Sequence, residues 1–129
     1  MLAKDIMTKK VITVGSQTTI KDLAKTLTKH KISGAPVADK SGRLLGVVSR
    51  TDIVAKNGDK VKDIMSKDII SVSEETPVEE IANLFTTYKI NRVPVLQGKK
   101  LAGIVSRADI VRAIAMGKHI ALHTPIYDL

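Results

Sequence analysis

The sequence predicts a mixed α/β (α+β) fold built from two copies of one unit, related by a pseudo-twofold axis. Three observations predict it. Lys4-Asp5-Ile6-Met7 returns as Lys62-Asp63-Ile64-Met65. Gly46-Val47-Val48-Ser49-Arg50-Thr51-Asp52-Ile53-Val54 returns as Gly103-Ile104-Val105-Ser106-Arg107-Ala108-Asp109-Ile110-Val111. Between these marks each half alternates short β-branched runs with an apolar stripe at helical spacing. Self-similarity of this kind defines the architecture before any single element does. It divides the chain into a first repeat, 1–58, a second repeat, 59–117, and a tail, 118–129.

In the first repeat, Val11-Ile12-Thr13-Val14 is β-branched, stops at Gly15-Ser16, and is expected to form a strand. Residues 18–31 are expected to be helical, because Ile20, Leu23, Ala24 and Leu27 form one stripe. Thr19 and Asp22 have the spacing of a capping box at its start. Residues 35–38 and 43–48 are expected to pair as a hairpin around Asp39-Lys40-Ser41-Gly42. Pro36 within it marks a strand start or an edge. Ser49 then opens a second helix that runs to about Lys56 and closes near Asn57-Gly58.

The second repeat follows the same order. Ile69-Ile70-Ser71-Val72 is the expected strand. Thr76-Pro77-Val78-Glu79 places Thr at the N-cap, Pro at the first helical position and Glu two further on. Val78, Ile81, Ala82 and Phe85 renew the apolar stripe. Residues 93–96 and 100–105 form the hairpin, and Ser106 opens a helix that reaches about Met116 and stops at Gly117. One copy alone is too small to cover both faces of its sheet, so the copies are expected to share a core as one module.

Composition narrows the function classes. The 129 residues are 43% hydrophobic and 26% charged, a globular balance. The absence of cysteine excludes disulfides, thiolate metal sites and a cysteine nucleophile. Residues 1–11 lack the apolar run of a signal peptide, and no stretch has the length of a membrane span. A cytoplasmic protein with no membrane partner is therefore expected. The net charge of +8 is concentrated in residues 1–58, which hold 11 Lys/Arg against 4 Asp/Glu. Such an excess suits nucleic acid, an acidic partner or a phosphorylated ligand, and equally a solvated, solubilising face.

The duplicated polar signature is Gly-h-h-Ser-Arg-x-Asp (h, hydrophobic) at a strand-to-helix junction. Ser-x-x-Asp is itself a capping box, so one copy alone would read as a helix start. The signature occurs twice, however, with an Arg after the Ser each time. Arg in a first helical turn opposes the helix dipole, and capping supplies no reason for it. A phosphate met by backbone N–H groups, a hydroxyl and a guanidinium would supply one. The following carboxylate could accept hydrogen bonds from ribose hydroxyls.

These junctions, the two Asp-Ile-Met starts, and the segments Ile32-Ser33-Gly34-Ala35-Pro36-Val37 and Ile90-Asn91-Arg92-Val93-Pro94-Val95 resemble the CBS (cystathionine-β-synthase-type) domain family over roughly residues 2–116. The resemblance implies two β-α-β-β-α repeats packed as a CBS pair, or Bateman module, that forms a homodimer. It implies a regulatory ligand of the adenosine type (AMP, ADP, ATP, NAD or S-adenosylmethionine) and no catalysis. It also implies two clefts, each drawing on both repeats. In the first, Thr13, Ile32, Ser33 and Gly34 would surround the base, Ser106 and Arg107 would face phosphate, and Asp109 the ribose. The second would use Ser71, Ile90, Asn91 and Arg92 with Ser49, Arg50 and Asp52. Gly34 stands where the second copy has Arg92, so the clefts would not be equivalent, and the open backbone at Gly34 favours adenine entry there. Ile32 and Ile90 stand where some members stack an aromatic ring on the base. A chain of this kind would modulate a separate protein in trans.

Two other readings stand beside this one. The basic first half could bind nucleic acid, although few aromatic side chains are present for base stacking. An enzyme would need a base beside Ser49 or Ser106, and the sequence places no histidine there. Lys21, Lys25 and Lys29 line one helix face, which is read as solvated. His119 and His123 have helical i, i+4 spacing with Asp128 nearby, a weak zinc pattern read as structural. His30 and Tyr88 close equivalent helices in packing or capping roles. The apolar tail, 119–129, is expected to lie against the module or a partner.

Overall fold

A computed structural model of the chain describes residues 1–117. Its elements are, in order, α1 (Ala3–Ile6), α2 (Ile20–His30), β1 (Gly34–Ala38), β2 (Leu44–Ser49), α3 (Arg50–Ala55), α4 (Val61–Ile64), β3 (Val72–Ser73), α5 (Val78–Tyr88), β4 (Arg92–Gln97), β5 (Lys100–Ser106) and α6 (Arg107–Ala115). The fold is mixed α+β, with a two-stranded sheet β1-β2 and a three-stranded sheet β3-β4-β5.

The chain forms two compact units. One comprises Met1–Val11, Ile70–Gly98 and the chain from Ala102; the other comprises Ile12–Ile69 and Lys99–Leu101. Each unit therefore takes its first helical turn from the other sequence repeat. In the first unit Ala3 N–H donates to the Thr76 carbonyl at 2.8 Å, and Lys4 Nζ meets Glu75 Oε1 at 3.1 Å. That hydrogen bond raises the Lys4 pKa. In the second, Val61 N–H donates to the Thr18 carbonyl and Lys62 N–H to the Ser16 carbonyl, both at 2.9 Å.

The repeated Asp-Ile-Met segments are these turns. Asp5 Oδ2 accepts the Leu2 N–H at 2.8 Å, and Asp63 Oδ2 accepts the Lys60 N–H at 3.0 Å, so each carboxylate satisfies a free donor at a helix start. Hydrophobic burial then fixes the turns in place. Ala3 joins Val78, Ile81, Phe85, Val93, Val95 and Val105 in one core. Val61 and Ile64 join Leu23, Leu27, Val37 and Val48 in the other.

Several elements differ from the sequence reading. The strand expected at 11–14 is reduced to a bridge at Val14, whose N–H donates to the Pro36 carbonyl at 3.1 Å. Pro36 lies inside β1 and has no N–H to lend a longer ladder. The strand expected at 69–72 is the short pair Val72–Ser73, matched in parallel to Val95 and Leu96, just past Pro94. Helix α2 starts at Ile20, with Thr19 as its cap and Asp22 N–H donating to Thr19 Oγ1 at 3.2 Å. The N-cap of α5 is Pro77, not Thr76. Thr76 Oγ1 instead accepts the Ser73 N–H at 3.0 Å, which tightens the preceding turn.

Candidate functional site

The two Ser-Arg-x-Asp junctions are first of all helix caps. Ser49 Oγ accepts the Asp52 N–H at 3.3 Å, and Asp52 Oδ2 accepts the Ser49 N–H at 2.9 Å. Ser106 and Asp109 repeat this at 3.2 and 2.8 Å. Each serine hydroxyl also donates to its aspartate, at 3.2 Å in Ser49 and 3.0 Å in Ser106. The reciprocal box satisfies two backbone donors of each short helix.

The glycines that open these motifs have a packing cause. A Cβ on Gly46 would lie 2.6 Å from the Ser66 carbonyl oxygen and 3.1 Å from Met65 Sδ. On Gly103 it would lie 2.8 Å from both Met7 Sδ and the Thr8 carbonyl oxygen. The Asp-Ile-Met segments thus run directly over the starts of the Gly-h-h-Ser motifs. Val47 bridges Ser66 in one unit, and Thr8 bridges Ile104 in the other.

The second oxygen of each aspartate separates the copies. Asp52 Oδ1 holds Lys56 Nζ at 3.0 Å. Asp109 Oδ1 holds Arg112 Nη1 at 2.9 Å and accepts the Thr8 hydroxyl at 3.2 Å. Asp109 is 5% exposed, the one charged residue buried among those described. Thr8, Lys56 and Arg112 escaped the sequence reading. The i, i+4 and i, i+3 spacings could have found the last two; Thr8 is 101 residues from Asp109 and only the fold brings it there.

The arginines differ more. Arg107 Nε donates to the Ile90 carbonyl and Nη2 to the Phe85 carbonyl, both at 3.2 Å. Its guanidinium carbon lies 5.9 Å from the centroid of the Phe85 ring. The expectation that capping gives this arginine no purpose is corrected: it closes the C-terminal end of the neighbouring helix α5, where a cation suits the dipole. Arg50 is exposed, and its guanidinium has no hydrogen-bond or ion-pair partner among the described residues.

Within each unit the segment expected to face a base abuts that unit's own junction. Arg50 N–H donates to the Ser33 carbonyl at 2.9 Å, and Arg107 N–H to the Asn91 carbonyl at 3.0 Å. Ile32 and Ile90 are half-buried against their respective cores. Ser33, Asn91, Arg92 and Thr13 are exposed. Gly34 owes its missing side chain to strand packing: a Cβ there would meet the Val48 carbonyl oxygen at 2.8 Å and Ser49 Cβ at 3.3 Å. Its backbone is therefore covered on that side rather than open. Ser71 lines a cavity of ≈ 650 Å³ with Ser73, Thr76, Glu80 and Leu84. Among the described residues Glu80 is the one charged side chain in its lining.

Lys21, Lys25 and Lys29 are all exposed, as is His30. Tyr88 is 56% exposed, so the packing role expected of it is not filled. Both helix ends are closed instead by lysines in the left-handed region, Lys31 at φ 53° and Lys89 at φ 54°. Among the described residues no three His, Asp or Glu side chains converge as metal ligands, and no helix is long and apolar enough to cross a membrane. His119, His123 and Asp128 lie outside the described residues, as does the rest of the apolar tail.

The CBS domain sequence model matches twice, at residues 3–57 and 61–116. An L-aspartate semialdehyde sulfurtransferase of Methanocaldococcus jannaschii is 36% identical over 115 residues, covering 86% of this chain and 23% of the relative. An inosine-5'-monophosphate dehydrogenase of the same organism is 31% identical, again covering 23% of the relative. The chain thus spans under a quarter of these two proteins. Among solved structures, the CBS domain pair of protein MJ0100 in complex with 5'-methylthioadenosine and S-adenosyl-L-methionine is 35% identical with a TM-score of 0.78, covering 92% of this chain and 98% of that one. CBSX2 in complex with AMP is 31% identical with a TM-score of 0.85 and the same coverages; CBSX2 is a CBS-pair protein of Arabidopsis thaliana.

Proposed function

The chain belongs to the CBS domain family, and on that premise we propose that it is a regulatory module that senses an adenosine-type ligand. The observation that carries this reading is the doubled junction. Each copy sets a half-buried isoleucine and an exposed polar residue (Ile32 and Ser33, Ile90 and Asn91) against a Ser-Arg-x-Asp helix start. An adenine can pack on the isoleucine while polar groups meet the ribose and its substituents. Similarity to CBS pairs solved with AMP, 5'-methylthioadenosine and S-adenosyl-L-methionine supports the ligand class. ADP, ATP and NAD belong to the same class.

The sugar and phosphate groups fall to Ser49, Arg50 and Asp52 in one junction and to Ser106 and Asp109 in the other. Thr13, Ser33 and Gly34, and Ser71, Asn91 and Arg92, face the base. Bound ligand would favour one conformation by its differential affinity and so modulate a separate protein in trans. No reaction is proposed. The module works as a homodimer: α3 exposes Val54 (88%), and α6 exposes Val111 (65%) and Ile114 (43%). Two separate helices thus present apolar side chains without a cover.

Calorimetry and thermal melts with AMP, ATP, S-adenosylmethionine and 5'-methylthioadenosine test the reading. At least one should bind and raise the melting temperature, since a ligand that binds only the native state stabilises it. No heat and no shift with any of the four would end it. Exposure of Lys21, Lys25 and Lys29 supports nucleic-acid binding as a second reading. Its mark would be affinity that falls steeply with salt in gel-shift titrations.

A further inference from the structure

We propose that Arg107 is a positioning residue that fixes the Ile90–Asn91–Arg92 segment, and that it is not the group that reads a ligand's phosphate. The inference rests on the adenosine-sensing reading and reassigns one of its residues. Helix α5 ends at Tyr88, Lys89 takes a left-handed turn, and the chain must then enter β4 at Arg92. This bend leaves carbonyl oxygens at the helix end that need donors. The Phe85 carbonyl already accepts the Ile90 N–H at 3.2 Å. Arg107 adds a charged donor to the same oxygen and a second to the Ile90 carbonyl, each at 3.2 Å. Its own N–H holds the Asn91 carbonyl at 3.0 Å. One residue therefore grips two carbonyls of the segment and one of the helix before it, and its guanidinium carbon lies 5.9 Å from the centroid of the Phe85 ring.

Turning the fork to a phosphate would release these carbonyls. The Phe85 carbonyl would keep its backbone donors, the Lys89 and Ile90 N–H groups, but the Ile90 carbonyl would lose the side-chain donor that ties it to the start of α6. Arg50 holds the same place in its motif with no such partner, and serves as the internal comparison.

The test uses the full chain with AMP and adenosine, which differ only in the phosphate. Arg107→Ala should weaken both by a similar factor, about tenfold, and leave the preference for AMP over adenosine within about twofold of wild type. Arg107→Lys should recover part of the loss for both ligands. A residue that served only overall stability would leave the affinity of the folded protein unchanged, and that result would overturn the proposal. So would a loss of AMP affinity alone, with adenosine binding intact. A second measurement needs no ligand: in Arg107→Ala the Ile90 amide should exchange about tenfold faster, with no such change in Arg50→Ala. Unchanged exchange overturns the clamp. If wild type binds neither AMP nor adenosine, the ligand-sensing reading fails for those ligands, and the exchange result alone decides whether Arg107 holds the segment.

Discussion

The Thr8 hydroxyl donates to Asp109 Oδ1 at 3.2 Å, joining residues 101 positions apart. The same carboxylate caps α6 and holds Arg112, with 5% of the residue exposed. Its counterpart Asp52 makes the cap and one lysine pair, with its side chain 16% exposed. Two residues of identical motif position therefore carry unequal structural weight. Asp109→Ala removes a cap and leaves the Thr8 hydroxyl and the Ser106 N–H without their acceptor, at a cost of about 2–3 kcal/mol. Asp52→Ala also loses a cap and the acceptor of the Ser49 N–H, but only one half-exposed lysine beyond them and no counterpart of the Thr8 hydroxyl among the described residues, at about 1–2 kcal/mol. Urea unfolding of the two variants checks the order, and equal losses would contradict it. Asp52→Ala is thus the cleaner probe of ligand binding.

The glycines of the repeated motif are predicted to be intolerant for a reason unrelated to ligand. Gly46→Ala would bring a methyl to 2.6 Å from the Ser66 carbonyl oxygen, which backbone pairing with Val47 holds in place. Gly103→Ala would meet Met7 Sδ and the Thr8 carbonyl, each at 2.8 Å. Both should cost about 1–3 kcal/mol, the usual range for overpacking. Adding Met7→Ala to Gly103→Ala should recover only part, because the sulfur yields and the carbonyl does not. Full recovery in urea unfolding would show that the side chain alone sets the limit.

How far the sequence was legible follows from which interactions are local. The hairpins, the capping serines and the apolar stripes of α2 and α5 depend on neighbours within a few residues, and the spacing displays them. The exchange of the first turns does not. Nothing near Ala3 in sequence indicates that its N–H reaches Thr76, or that Met7 covers Gly103. The strands at 11–14 and 69–72 failed for a similar reason: β-branched composition shows propensity, while ladder length depended on the prolines of another strand. At the junctions the pattern revealed that the arginines needed a purpose. It could not reveal that Phe85 and Ile90 supply one to Arg107 while Arg50 has none within the described chain.

Asp39 gives the β1–β2 turn a defined pH dependence. Its Oδ1 accepts the Ser41 N–H at 2.9 Å, the Ser41 hydroxyl at 2.7 Å and the Arg43 N–H at 3.0 Å. The Ser41 hydroxyl, followed by the Arg43 N–H, holds the carboxyl pKa below its ordinary 3.8. A carboxyl whose pKa is lowered on folding stabilises the fold fully above its unfolded value and loses that contribution as pH falls through the folded one. Wild type should therefore exceed Asp39→Ala in stability at neutral pH, and the gap should narrow once pH drops below 3.8. Urea midpoints of both chains across that range check the sign. A gap that widened in acid would mean that the turn, not the charge, carries the difference.

The exposed apolar side chains of α6 give the proposed homodimer a direct test. Val111 and Ile114 stand three residues apart and so lie on one helical face, 65% and 43% exposed. Covering such a side chain fully is worth about 1.5–3 kcal/mol, whereas leaving it wet in a monomer gains nothing. Val111→Glu places a charge where a second copy would remove water, a strong penalty for association and almost none for the isolated fold. Native mass spectrometry should show wild type as a dimer and Val111→Glu shifted to monomer. The urea stability of the folded monomer should stay within about 0.5 kcal/mol, as for other surface substitutions. Val54→Glu, on an 88%-exposed position of α3, provides the matching probe of the other repeat. Dimers that survive both substitutions would exclude these helix faces from the interface, and a monomeric wild type would remove the homodimer from the proposal.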